Sequence, residues 1–278
     1  MEIAGIFFSC GVKKQGPKIG KAGKQEVITL APTIMKRVIL VFILLAGQQC
    51  FSQTYNERNA VLEIGYGVAV PFGKFESTDL TDSASGYATS GTNLSVMFTY
   101  LVNKNVGVAA MISSSANRLN TTGVKDRFNL YAMNNNVGIV SDISFEKWST
   151  MSYMAGGYLT YPLQKASINF QLLAGYSRTT YPEVDVILYK DTNFDAISVI
   201  QSAPEVASSF CLDAGVGLKY NISDIMCLCV NVNYFSSYPE FESVVTTSTY
   251  NGNTPDEIHK VHQRISLLNA TAGIGFRF

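Results

Sequence analysis

Apolar and polar residues alternate one by one along much of this chain. From Ala60 to Pro71, Leu62, Ile64, Tyr66, Val68 and Val70 fall on one face of an extended backbone, and Glu63, Gly65, Gly67 and Ala69 fall on the other. Cys211 to Tyr220 repeats the arrangement, with Leu212, Ala214, Val216, Leu218 and Tyr220 opposing Asp213, Gly215, Gly217 and Lys219. Successive side chains of a strand point to opposite faces, so each segment is a strand with one apolar face. The same period predicts strands at 60–71, 92–102, 106–114, 148–161, 166–176, 208–220, 225–235 and 265–278. Their connections alternate in length. Asn103 to Asn105, Pro162 to Lys165 and Asn221 to Asp224 are tight, whereas 72–91, 115–147, 177–207 and 236–264 are long and rich in Ser, Thr, Asn, Asp and Gly. Short turns on one rim and long loops on the other predict an all-β fold, an eight-stranded antiparallel up-and-down transmembrane β-barrel.

Periodicity does not say which face points outward. Strands of about 10 residues are the length that crosses a bilayer at a tilt. The less apolar face carries small residues and charges of both signs, Glu63, Asp213, Lys219 and Arg277. Inside a narrow lumen these form a paired polar network, which lipid does not tolerate. Tyrosines gather at strand ends, with Tyr100, Tyr161 and Tyr220 toward the short turns and Tyr176 and Tyr234 toward the long loops, as two interfacial girdles would place them. The Gly-x-Gly pairs (65/67, 215/217, 273/275) lie within strands with no helix following, so they suit a tightly curved wall rather than a phosphate cradle. The opposite orientation, apolar face inward, is that of a soluble periplasmic ligand-binding barrel.

Composition agrees with strands in lipid. Charged residues are 15% of the 278, well below the quarter common in soluble domains, while 22 Gly, 15 Tyr and 16 Phe are available to walls and girdles. Residues 1–53 hold seven of the 21 Lys and Arg but only two of the 21 Asp and Glu, so the remainder is mildly anionic and suited to no nucleic-acid partner. Within that leader, Met35 opens a secretory signal: two cations, an apolar run from Val38 to Gly47, and small residues at Cys50 and Ser52 before a cut at Ser52/Gln53. Residues 35–52 are therefore expected to be a signal peptide, 1–34 a start-site misassignment or extended leader, and 53–278 the barrel. Gln48 and Gln49 stand where a lipid-attachment motif around Cys50 needs small residues.

The chain ends NATAGIGFRF, with Ala272, Ile274, Phe276 and Phe278 alternating. This resembles the terminal-aromatic signal read by the barrel-assembly machinery, which implies that Ile274, Phe276 and Phe278 carry that signal. Residues 54–278 resemble the eight-stranded outer-membrane-protein β-barrel family, which includes OmpA-type transmembrane domains and porin-like barrels. The stretch EIGYGVAVPFGKF, Glu63 to Phe75, resembles that family's first strand entering its first outer loop. The resemblance implies the outer membrane of a Gram-negative bacterium, with outer-membrane lipids and lipopolysaccharide as surroundings. With no peptidoglycan-binding domain after Phe278, the anchoring role of full OmpA-type proteins is not expected.

Candidate chemistry is sparse. His259 and His262 share the last long loop, near Glu257 and Ser266, with no HExxH. Asp191, Asn193 and Asp195 begin like a calcium loop, but Ala196 stands at the sharp-turn Gly and Ser202 at the bidentate Glu. The long loops hold most of the acidic residues, a solvated rim or a place for cations that bridge lipopolysaccharide phosphates. Cys211, Cys227 and Cys229 are an odd set with no second C-x-x-C pair, and read as small apolar fillers. Neither a catalytic site, a metal nor a cofactor is expected. The expected role is non-enzymatic: envelope integrity, adhesion or binding of an envelope protein partner through the loops. The rivals are a narrow solute channel, an accessory barrel of a secretion or assembly system, and a lipid-modifying enzyme.

Overall fold

The computed structural model describes residues 59–79, 85–122, 125, 139–189, 196–202, 204–250 and 256–278. Among the described residues thirteen strands follow one another. The first six are β1 (Ala60–Pro71), β2 (Ala88–Leu101), β3 (Val106–Leu119), β4 (Ile139–Phe145), β5 (Trp148–Pro162) and β6 (Ala166–Thr180). Then come β7 (Val184–Tyr189), β8 (Ala196–Ser202), β9 (Val206–Asn221) and β10 (Met226–Ser237). Last are β11 (Glu240–Tyr250), β12 (Asp256–His262) and β13 (Ile265–Arg277). Eight of them close a barrel in the order β1-β13-β10-β9-β6-β5-β3-β2, every pair antiparallel. These are the eight strands the alternation predicts, several of them longer at the long-loop end.

The orientation of the faces follows from which groups each medium can satisfy. Ile64, Tyr66, Val68 and Val70 of β1 are exposed on the outer surface, while Glu63, Gly65 and Ala69 are buried in the lumen. On β9, Leu212, Val216, Leu218 and Tyr220 face out and Asp213 and Lys219 face in. Outward positions turn polar at Thr92, Ser114, Ser149, Arg178 and Ser208, near the long-loop end. On β6 the apolar stretch runs from Ile168 to Tyr176, close to the 9–11 residues a tilted strand needs to cross hydrocarbon. Backbone N–H and C=O groups in such a belt have no water to turn to, and closure of the barrel satisfies them all between strands.

The long connections are not the open loops that their composition predicts. Three of them supply β4, β7, β8, β11 and β12, which form a five-stranded sheet in the order β12-β11-β8-β7-β4. That order copies the barrel neighbours β13-β10-β9-β6-β5 from which these strands emerge, and the register is carried through as well. In the barrel Thr180 pairs with Val206, and four residues further along each arm Val184 pairs with Ser202. Likewise Ser237 pairs with Ile265 and, three residues on, Glu240 with His262. The second sheet is thus the barrel wall continued past the rim on five strands of eight. Pro182, Pro204 and Pro239, each followed by Glu, fall where the ladder lapses between the two parts, because proline has no N–H to give it.

Candidate functional site

Buried side chains fill the lumen in layers. Toward the short turns Lys219 forms an ion pair with Glu63 and lies 4.8 Å above the ring of Tyr158. Glu63 and Lys219 are each only 3% exposed, and the pairing lets both charges sit in a low-dielectric interior. Asp213 stands apart from this pair: Gln171 Nε2 donates to its Oδ1 at 3.2 Å. Asn231 and Asn233 lie over Gly217 and Gly215, where an added Cβ would collide with their Oδ1 atoms. The inward glycines of β9 therefore make room for polar side chains from β10. Higher up, Asn93 Nδ2 donates to the Ser113 and Ser115 hydroxyls at 2.8 Å, and Asn117 Nδ2 to the Ala69 and Thr89 carbonyls at 3.0 Å. A cavity of about 10 Å³ between Glu63, Met97, Met111, Gln171, Cys229 and Asn233 has space for about one water.

Of the four residues expected to form a lumen network, the structure joins two. Arg277 is only half-buried at the short-turn rim and makes no ion pair among the described residues, because its position at the end of β13 leaves it beside solvent. Asp213 is buried but bonds an amide instead of a cation. The three cysteines are free and buried, with Val61, Cys227 and Cys229 forming a small apolar cluster.

An aromatic plug at the long-loop end is absent from the sequence expectations. The turn Gly73–Phe75 after β1 carries Phe75 inward, where it meets Trp148 edge-on at 5.4 Å. Tyr181 packs against Trp148 at 5.0 Å and against Phe241 at 5.3 Å. Trp148 Nε1–H donates to the Gly86 carbonyl at 3.0 Å, and a Cβ on Gly86 would strike Phe75 at 2.7 Å. Ile265, Leu267, Val244 and Val261 complete the layer. Burial pushes the Tyr181 hydroxyl up to about 12. The available signal is the single Trp of the chain at an inward strand start, preceded by Glu-Lys and followed by alternating residues.

Of the histidine constellation, the described side chains are those of His262 and Ser266, and each has a different partner. His262 Nε2 lies 3.6 Å from Glu240 and its ring stacks on Tyr238, whereas the Ser266 hydroxyl is engaged by Tyr234 at 3.4 Å. The side chain of His259 and the would-be calcium loop Asp191–Asp195 lie outside the described residues, as do the expected leader and signal segments. Among the described residues no group of three or more His, Cys, Asp or Glu could hold a metal ion. At the membrane girdles, Tyr100, Tyr161 and Tyr220 are exposed near the short turns, and Tyr176, Phe210 and Tyr234 near the long loops, Tyr176 and Phe210 in edge contact at 6.3 Å.

A closed antiparallel wall with an apolar outer belt, aromatic girdles and a packed polar interior defines a bilayer-spanning β-barrel of the outer-membrane type. No family model matches the chain, and no curated protein matches it in sequence. Among solved structures it is similar to Ail, the attachment invasion locus protein of Yersinia pestis (13% identity, TM-score 0.39, covering 79% of this chain and 97% of that one). It is similar also to the outer membrane protease OmpT from Escherichia coli (8% identity, TM-score 0.44, 82% and 99% covered). A major outer membrane protein from Thermus thermophilus gives 12% identity, a TM-score of 0.43, and coverage of 79% and 99%.

Proposed function

We propose that this protein sits in the bacterial outer membrane and works as a presenting barrel, binding a partner through the wall that rises beyond its long-loop rim. The observation that carries this reading is the combination of a lumen filled by buried side chains with five strands continued in register past the membrane belt. An interior filled by buried side chains, with an aromatic plug at the long-loop end, supports a barrel that serves as a foundation rather than a pore. A β-sheet continued from a closed barrel inherits its rigidity, and a rigid surface loses little entropy when it binds. Ser266 and His262 take different partners, Tyr234 and Glu240, which supports binding as the reading.

A photo-cross-linking residue at Ile258, exposed on β12, tests this in intact cells. The expected result is a discrete adduct at Ile258 and only lipid adducts at Leu172, which lies in the outer belt. The rival reading, a narrow channel, draws on the polar lumen around Glu63 and Lys219. Stepwise conductance in a planar bilayer, with no protein adduct at Ile258, would replace the presenting role with the channel.

A further inference from the structure

One region of the lumen is rich in sulfur. Met154 pairs with Met111 across β5 and β3, Met111 with Met97 across β3 and β2, and Met97 with Glu63 across β2 and β1. All four side chains are buried. From the other side of the barrel β10 contributes Cys227 and Cys229, two residues apart on one inward face, both unbridged, with their Sγ atoms 3.7 Å apart. Gly275 on β13 pairs with Cys227, and a Cβ there would come within 2.6 Å of the Cys227 sulfur and 3.2 Å of the Cys229 sulfur. The missing side chain is what leaves space for both thiols. Met97, Met111 and Cys229 then border the same cavity of about 10 Å³.

Thiolate and thioether sulfur are soft, polarisable donors that select soft ions over Mg²⁺ or Ca²⁺. Charge narrows the choice. Glu63 and Lys219 neutralise one another beside the cavity, so a single thiolate there needs one positive charge and no more. We infer that this cavity is a binding site for a soft monovalent metal ion of the Cu(I) or Ag(I) class, held by the Cys229 thiolate with the Met97 and Met111 thioethers, and with Cys227 as a reserve thiol. On binding, the metal ion replaces the Cys229 thiol proton, which leaves to solvent, so the charge of the site is unchanged. The competing fate is a Cys227–Cys229 disulfide. Its sulfurs would have to close from 3.7 Å to about 2.05 Å across Cα atoms roughly 6.6 Å apart along one strand, near the upper limit for a bridge.

The test uses the reduced chain carrying Cys10→Ser and Cys50→Ser in detergent micelles, its fold verified by heat-modifiable migration, titrated with Ag(I) alone. Native mass spectrometry reads the stoichiometry, and competition with a chromophoric chelator reads the affinity. One tightly bound ion is expected, unchanged by Cys211→Ser and weakened at least tenfold by Cys229→Ser. The decisive variant is Met97→Leu/Met111→Leu, which conserves volume, leaves every thiol in place and is expected to weaken binding at least tenfold too. If Cys229→Ser fails to fold, that methionine variant alone carries the result. Wild-type affinity in the methionine variant, or a 227–229 peptide isolated two hydrogens lighter as a disulfide, overturns the site.

Discussion

Lys219 and Glu63 carry opposite charges into a lumen where neither can reach solvent, and each is tolerable only because of the other. Lys219→Met is expected to destabilise the barrel by about 3–5 kcal/mol, the cost of a buried carboxylate left alone, and Glu63→Gln added to it to restore most of the loss. Urea unfolding in lipid vesicles, run as a double-mutant cycle, measures both. Trp148→Ala removes the centre of the plug and is expected to cost about 3–5 kcal/mol. Trp148→Phe keeps the packing but drops the bond to the Gly86 carbonyl, for a loss nearer ~1 kcal/mol. Tyr181 provides a pH signature. Its hydroxyl ionises at about 12 when folded against 10 ordinarily, so the folded state holds the proton more tightly. The resulting stability is intact below pH 10 and is lost as pH rises from 10 to about 12, and Tyr181→Phe should flatten that part of the pH profile of the unfolding midpoint.

The same residues show what can be read in advance. A charge on the glycine-rich face of an alternating strand has to point inward, and Glu63, Asp213 and Lys219 do. Their partners are not legible, because which inward residue meets which depends on strand order and shear around the closed wall. Arg277 misleads for a simple reason: alternation continues to the last residue of a strand, while enclosure stops at the rim. Trp148 and Phe75 meet only because a turn folds back over the barrel mouth, a tertiary contact with no local pattern.

At the scale of elements, period two locates all eight barrel strands, since their two faces meet media as different as lipid and a packed lumen. It fails for β4, β7, β8, β11 and β12. Above the membrane the outer face meets water, so Ser and Thr can replace Val and Leu there, and a strand acquires the composition of a loop. Segments such as VDVILY in β7 and AISVIQS in β8 retain the β-branched residues that mark them. Because the barrel closes without them, replacing 184–202 by a short turn is expected to leave heat-modifiable migration unchanged, with the loss confined to partner capture at Ile258. A band that no longer shifts on boiling would show instead that the upper wall is needed for closure.

Among the described residues the barrel wall is extended on one side only. β13, β10, β9, β6 and β5 are continued upward, while β1, β2 and β3 end at Pro71, Ala88 and Leu119. Between the two parts the plug separates a polar lumen from the outer side. Wild-type protein is therefore expected to give no resolvable current steps in a planar bilayer, and Phe75→Ala with Trp148→Ala to give small ones, since the remaining polar layers are wettable. Steps of equal size from both proteins would mean that the plug does not seal the lumen.

The unbroken register between barrel and upper sheet bears on how such a protein can vary over time. Adding two residues to each arm of an antiparallel hairpin leaves every other side chain on its own face. The height of the wall can thus grow or shrink in steps of one residue pair per face, with the lumen below untouched. Length and sequence there are free to change, while the membrane-embedded part stays under the constraint of barrel closure.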